Sequence, residues 1–355
     1  MNKIINILKK QKSIPLDQFI NIALYDKKFG YYMKKNPFGK DGDYITSPLI
    51  SNLFSEMIAV WCVAFWESLK KPKKFFLVEL GPGDGSLCKD LLETFKNFKD
   101  FYNSVNIRLL EKSITLKNLQ KSRIKNSKVK WIKEINNLNS GPIIFICNEF
   151  FDSLPIKQIY KKNNLLFEKY ITLSKNKKNL KFLYKPAKKN LIKNIKKHNL
   201  ISGGKTIEYP TNAIKYIELI AKRINNFKGG ILSFDYGYTH QKNHNTLHAI
   251  RKHKHANILL QPGNSDITSH INYQLFLKIF EEKNLKVEKV ITQSEFLQKL
   301  GIIHRANMIS KNKTFKEKAD IFYRLKKLIH NKEMGSAFKV FFAQNKKTKF
   351  SLGFK

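Results

Sequence analysis

The stretch FFLVELGPGDGSL, Phe75 to Leu87, restricts the fold more than any other part of the chain. Its first six residues read as a short, fully buried strand, bounded by Lys-Pro-Lys-Lys on one side and glycine on the other. Gly81, Gly83 and Gly85 then fall at every second position, so the strand runs into a loop with almost no side chains. Such a loop lets the backbone lie close against something else, and Glu79 places a carboxylate just before it.

The same unit recurs along the chain. Residues 87–98 read as a helix, and strands follow at 106–110, 129–132, 142–147 and 230–234. Strands alternating with helices predict an α/β fold with a mostly parallel sheet covered on both faces. Four of the five strands end on an acid: Glu79 in the last turn of the first, then Glu111, Glu149 and Asp235. Ligands of such sheets collect at the carboxyl ends of the strands, so these acids predict a site on that edge. Between 155 and 202 the pattern breaks into short antiparallel strands, and residues 161–200 carry 13 Lys against one Glu. This is an insertion, too poor in apolar residues to form a core of its own, and residues 208–224 return to helix. Residues 286–291 and 337–344 alternate and are expected to pair as an antiparallel hairpin at the sheet edge. The domain reading is a helical region at 1–74 packed on a catalytic domain at 75–355, with the insertion at about 156–205. In the first region Ser47-Pro48 reads as a helix start, followed by an apolar stripe from Leu53 to Trp66.

Composition narrows the function less. The chain has 355 residues and a net charge of +40, from 67 Lys and Arg against 27 Asp and Glu. That charge fits a nucleic-acid footprint, but the lysines are scattered and accompanied by Asn, Ile and Phe, so compositional drift explains it better. Cys62, Cys88 and Cys147 lack metal-ligand spacing and read as reduced core thiols. No apolar run approaches the ~20 residues needed to span a bilayer. The first dozen residues read as the first helix of the mature protein, and the expected compartment is the bacterial cytoplasm, or the mitochondrial matrix in a eukaryote.

The glycine loop fits two cofactor classes. A dinucleotide fingerprint needs a third glycine where this chain has Ser86, and a carboxylate at Glu79 would repel a pyrophosphate. S-adenosyl-L-methionine has no phosphate, and its ammonium, sulfonium and ribose hydroxyls suit Glu79 and Glu111. A second constellation, NEFFDSLPIKQ, follows the fourth strand and faces the transferable methyl in a doubly wound methyltransferase. Glu149 and Asp152 are two carboxylates that can grip a guanidinium. A third, FDYGY with the His-rich stretch that follows it, contains Asp235, a candidate substrate-binding acid, and, on an expected long loop, Asp266 and His270. His270 is a candidate proton acceptor, and no metal site is expected.

With these patches assembled, the chain resembles the MidA-like methyltransferases, the family of the mitochondrial complex I assembly factor 7. The resemblance runs in order through ALYDKKFGYY, GDYITSPLISNLFSEMIAVW, LVELGPGDGSL, NEFFDSLPIKQ, FDYGY, TLHAIRKHKHANILLQPGNSDITSHINY and EMGSAFKV. It implies a class I, Rossmann-like methyltransferase fold. It also implies S-adenosyl-L-methionine as donor and symmetric dimethylation of an arginine on a 49-kDa-type subunit of respiratory complex I. By motif, Glu79, Gly81, Gly83 and Gly85 would hold the donor. Asn148, Glu149 and Asp152 would line the transfer site, and Thr46 and Ser47 would begin a helix over it. Asp84 departs from the family pattern and is expected to alter donor affinity. Two other readings stand beside this one: an RNA methyltransferase using the basic insertion, with Phe167, Tyr170, Phe182 and Tyr184 as stacking candidates, and a non-catalytic assembly chaperone. The oligomeric state is left open, a homodimer included.

Overall fold

The computed structural model describes residues 2–34, 37, 46–138, 140–176, 178–201, 204–240 and 245–355. Seven strands form the main path of its nine-stranded central sheet: β1 (Phe75–Leu80), β2 (Val105–Leu110), β3 (Val129–Ile132), β4 (Ile143–Asn148), β5 (Gly229–Tyr238), β6 (Leu285–Val287) and β7 (Phe338–Asn345). Their order is β3-β2-β1-β4-β5-β7-β6. The first five are parallel, and β7 runs antiparallel between β5 and β6. Strand order reverses between β1 and β4, so a crevice opens there, beyond their carboxyl ends. The expected antiparallel pairing is present, but four helices separate β6 from β7 in the chain, so no tight turn joins them. β5 also runs three residues past Asp235, and short Ile271–Asn272 pairs with that extension.

The sheet is buried on both faces because its strands alternate between two cores. Phe75 and Leu77 of β1 face one core, with Trp61, Phe65 and Phe342; Phe76, Val78 and Leu80 face the other, with Ile217, Ile220 and Phe276. Burial of this much apolar side chain is the main favourable contribution to the fold. All three cysteines are buried and free. The long helix of the first core, Asn52–Ser68, starts later than the Ser47-Pro48 signal implied. Ser51 breaks the run at φ −159°, and its side chain accepts from the Leu53 N–H at 3.3 Å, leaving Ser47–Ile50 as a separate turn.

A third core gathers segments far apart in sequence: Ile4, Leu8, Phe19 and Leu24 from the N-terminus, Ile156, Ile171 and Leu180 from the insertion, and Ala249 and Ile267. Ser13–Pro15 pairs with Leu165–Leu173, whose other neighbours are Lys157–Lys162 and Leu180–Pro186. Thr206–Tyr209, expected to be helical in part, closes this sheet as a strand against Lys157–Lys162. The expected region 1–74 therefore divides, its first part joining the insertion and its last part the main sheet. The expected long loop after β5 contains a small antiparallel sheet, His248–Arg251 with Lys254–Ala256 and Asp266–Thr268. Among the described residues no helix is long and apolar enough to cross a membrane.

Trp61 is fully buried, donates its indole N–H to the Leu352 carbonyl at 3.0 Å, and packs on Phe342 and Phe350 with ring centroids 5.0 and 5.2 Å away. Trp61→Ala is expected to cost about 3–5 kcal/mol in denaturant unfolding. Trp61→Phe is expected to cost clearly less; equal stability of both with the parent chain would refute this packing account.

Candidate active site

A cavity of about 460 Å3 opens at the strand-order reversal. That lies within the ~300–1,000 Å3 typical of small-molecule sites. The glycine loop forms one wall. Gly81, Gly83 and Gly85 all take positive φ, +64°, +55° and +84°. A side chain at Gly81 would be strained, and its Cβ would meet the Phe150 ring at 2.9 Å. Gly81 and Gly83 line the cavity. Gly85 is turned away and caps the helix Ser86–Phe95, against Gln120 and Ile124.

Glu79 lies in β1 behind this wall, 3% exposed, and its Oε2 has no hydrogen-bond partner. Burial first, then the nearby Asp84 and Glu111, pushes its carboxyl up to about 8. An orphaned carboxylate oxygen beside a glycine cradle fits a cationic ligand and is a poor setting for a phosphate. Glu111 lines the cavity at the end of β2, its Oε1 accepting from the Ser113 N–H at 2.7 Å. Its Oε2 accepts from Gln120 Nε2 at 3.1 Å, and the same nitrogen donates to the Gly83 carbonyl at 2.7 Å. Trp131 Nε1 donates to Gln120 Oε1 at 2.8 Å. Fully buried Gln120 thus ties the glycine loop to the acid of β2, a role that one polar residue in a helix does not announce. Asp84, expected to alter donor affinity, adds its charge beside Glu79 without lining the cavity. Its carboxylate accepts from the Ser86 N–H at 3.0 Å and pairs with Arg123, which pins the start of the helix and lies off the cavity wall.

The opposite wall comes from the turn after β4. Glu149 holds φ +54°, a strained value for a side-chain-bearing residue, and its Oε1 accepts from Asn148 Nδ2 at 2.9 Å. Burial and the neighbouring Asp152 push its carboxyl up to about 8. Asp152 is 6% exposed on the cavity wall, and its Oδ1 has no hydrogen-bond partner. Asn148 is off the wall, with its own Oδ1 unpartnered. Asp235, expected to bind substrate, is a brace beneath the turn. Its Oδ2 accepts from the N–H groups of Phe151 (3.0 Å) and Asp152 (3.3 Å), and its Oδ1 from that of Tyr236 (2.9 Å). Burial raises both Asp152 and Asp235 well above the usual carboxylate range, reinforced by Asp235 and Asp266 at Asp152 and by Glu149 at Asp235.

His270 lines the cavity from an exposed position, its ring centroid 6.4 Å from that of Tyr236. Thr46 lines the cavity too, whereas Ser47 is buried away from it and donates to Gln293 Oε1 at 3.3 Å. Among the described residues no group of His, Cys, Asp and Glu could hold a metal ion. Sequence reasoning missed other polar and aromatic parts of the wall, among them Tyr25, Tyr32, Lys112, Tyr216 and Tyr236. The aromatic cluster in ALYDKKFGYY was the available signal, since its tyrosines do not follow one apolar face.

The comparisons agree with this geometry. Residues 57–291, well over half of the chain, match the model of a family described as "Putative S-adenosyl-L-methionine-dependent methyltransferase". Curated relatives include "Protein arginine methyltransferase NDUFAF7, mitochondrial" of Xenopus tropicalis, 30% identical with 96% of this chain and 84% of that protein covered. The protein of the same name in Homo sapiens is 25% identical over 94% of this chain and 80% of its own length. Among solved structures, a protein from Burkholderia thailandensis bound to S-adenosyl-homocysteine superposes with TM-score 0.82 at 20% identity, covering 98% of this chain and 92% of that one. This last likeness shows the fold.

Glu79 also makes stability depend on pH. Its carboxyl is raised from 4.5 to about 8 on folding, so the donor-free protein keeps a proton that the unfolded chain has lost. The stabilisation is complete below about pH 4.5 and disappears as pH rises through about 8. Glu79→Gln is expected to flatten that part of the melting-temperature profile; a slope unchanged by the substitution would contradict the assignment. The loop, the acids behind it, the strand order and the match over 57–291 converge on one conclusion: the chain belongs to this family of S-adenosyl-L-methionine-dependent methyltransferases.

Proposed function

We propose that the chain is a protein arginine N-methyltransferase, with a guanidinium as methyl acceptor. The observation that carries this reading is the wall opposite the glycine loop. Asp152 is buried there and Glu149 largely enclosed beside it, and among the described residues no Lys or Arg pairs with either. Two such acids are costly to ionise together and are relieved by a cation carrying several N–H donors. The relatives named protein arginine methyltransferase support the same acceptor. The finer reading rests on the family resemblance: symmetric dimethylation of a 49-kDa-type subunit of NADH:ubiquinone oxidoreductase, in complex I assembly. The bacterial cytoplasm as compartment belongs to the same proposal.

Bound S-adenosyl-L-methionine supplies an electrophilic methyl group. Gly81, Gly83, Glu79 and Glu111 would hold it, on the evidence of the cradle and the orphaned Glu79 oxygen. The acceptor side must align one nitrogen and take its proton. Glu149 is suited to both, since its strained backbone is fixed by the N–H bond to the Phe234 carbonyl, 2.9 Å, and its carboxylate faces the cavity. His270 at the rim is a second proton acceptor on this reading.

An RNA substrate has one observation in its favour: Phe182 and Tyr184 are 39% and 46% exposed on the insertion sheet. Lys169 already lies over the Phe182 ring, at 4.7 Å, so this face carries its own cation and packs as strand structure.

Two outcomes are expected. Glu149→Gln should lower kcat/KM for an arginine-containing acceptor by about 10²–10⁴, with S-adenosyl-homocysteine binding retained; full activity would remove Glu149 from the mechanism. For the parent enzyme kcat/KM should rise with pH and level off above about 8, because the acid must ionise to meet a guanidinium. A flat profile over pH 6–9 would argue against a protonated Glu149 in the free enzyme.

A further inference from the structure

The turn after β4 does not complete the acceptor wall. Asp266 reaches the same cavity from a different part of the chain, at the start of the short strand Asp266–Thr268, and is 3% exposed. Its Oδ1 accepts from its neighbour's backbone, the Ile267 N–H at 2.8 Å, and from the Tyr32 hydroxyl at 2.8 Å. Tyr32 stacks on Tyr25, ring centroids 5.6 Å apart, and the Tyr25 hydroxyl donates to the carbonyl of Ser153 at 3.0 Å, one residue past Asp152. The Ser269 N–H closes the circuit on the Asp152 carbonyl at 3.0 Å. Two phenols of the N-terminal segment thus hold the two acid-bearing loops at a set separation.

We infer that Asp266 is a further acceptor-binding carboxylate, and that Tyr32 is the residue that positions it. The inference rests on the reading of the acceptor as a guanidinium. It does not rest on clustering alone: Asp152, on the same wall, keeps an unpartnered Oδ1 although 94% of its surface is buried, and a polar donor from outside the chain would satisfy it. A planar guanidinium has five N–H donors in a fixed fork and can meet carboxylates arriving from two directions. Asp152 and Asp266 arrive from two directions. Asp266 lies close enough to raise the proton affinity of Asp152, as expected where two acids share one counter-charge.

The test is calorimetric titration of the full chain, saturated with S-adenosyl-homocysteine, using a Gly-Arg-Gly peptide amide and its neutral citrulline isostere. The parent chain should bind the arginine peptide and not the citrulline one. Asp266→Asn should weaken arginine-peptide binding at least tenfold with S-adenosyl-homocysteine affinity unchanged, and Asp266→Glu should restore part of it. Tyr32→Phe should weaken it several-fold, and Tyr32→Phe combined with Asp266→Asn should be no weaker than Asp266→Asn alone, since Tyr32 acts through Asp266. Parent-like arginine binding by Asp266→Asn would overturn this inference and leave the guanidinium reading in place. Loss of S-adenosyl-homocysteine binding in Asp266→Asn, or additive losses in the double variant, would show a structural role and overturn it too. Equal binding of arginine and citrulline peptides by the parent, or binding of neither, would sink the guanidinium reading and this inference with it.

Discussion

Burying carboxylates without counter-ions is the constraint around which this structure is arranged. Glu79, Asp152 and Asp235 are all less than a tenth exposed, and Glu149 is largely enclosed. Each carries a raised proton affinity from burial, reinforced by its neighbours. Ionising them in place is expensive unless a cation or enough N–H donors arrive. Asp235 has its donors already, three backbone N–H groups, and stands as scaffold. Glu79 keeps an unpartnered oxygen behind the glycine wall, and Asp152 keeps one on the wall opposite. For the proposed reaction, between a sulfonium donor and a cationic acceptor, this division gives one anionic wall per partner.

The parts that look like additions to the parallel sheet complete the cavity. The N-terminal helices, the insertion and the small sheet after β5 share one core of their own. From that core Tyr25, Tyr32 and Asp266 reach the cavity, while Lys112 enters from the end of β2, its ammonium 5.3 Å from the centroid of the Tyr25 ring. A helix at the chain's start thereby takes part in a site otherwise built on strands β1, β2 and β4. Its distance in sequence is bridged by the antiparallel pairing of Ser13–Pro15 with 170–172.

Legibility in the sequence followed the range of each interaction. The strand and glycine loop at 75–87 were readable because apolar periodicity and positive φ are local demands met by local residues. Glu79, Glu111, Glu149 and Asp152 could be named because each sits at a strand's carboxyl end, where an α/β sheet puts its ligands. Asp235 obeyed the same rule and yet turned inward, because the turn after β4 needed a brace for its N–H groups. Gln120 gave no signal, and the tyrosine cluster around Tyr32 did not disclose its role, since their partners lie 37 and 234 residues away. The partner of Asp84 was hidden for a similar reason: Arg123 lies 39 residues on, at the end of the helix Ile114–Arg123.

By itself the chain determined the α/β alternation, the glycine loop and the acids that end the strands, since these follow from periodicities of two and 3.6 and from backbone sterics. Tertiary structure decided which of those acids face the cavity and which support it. It also decided that the N-terminal segment belongs with the insertion, and that Tyr25 and Tyr32 set the spacing of the acid-bearing loops. The physical reason is that a carboxylate's role depends on which donors surround it once packing is complete, and those donors come from across the chain.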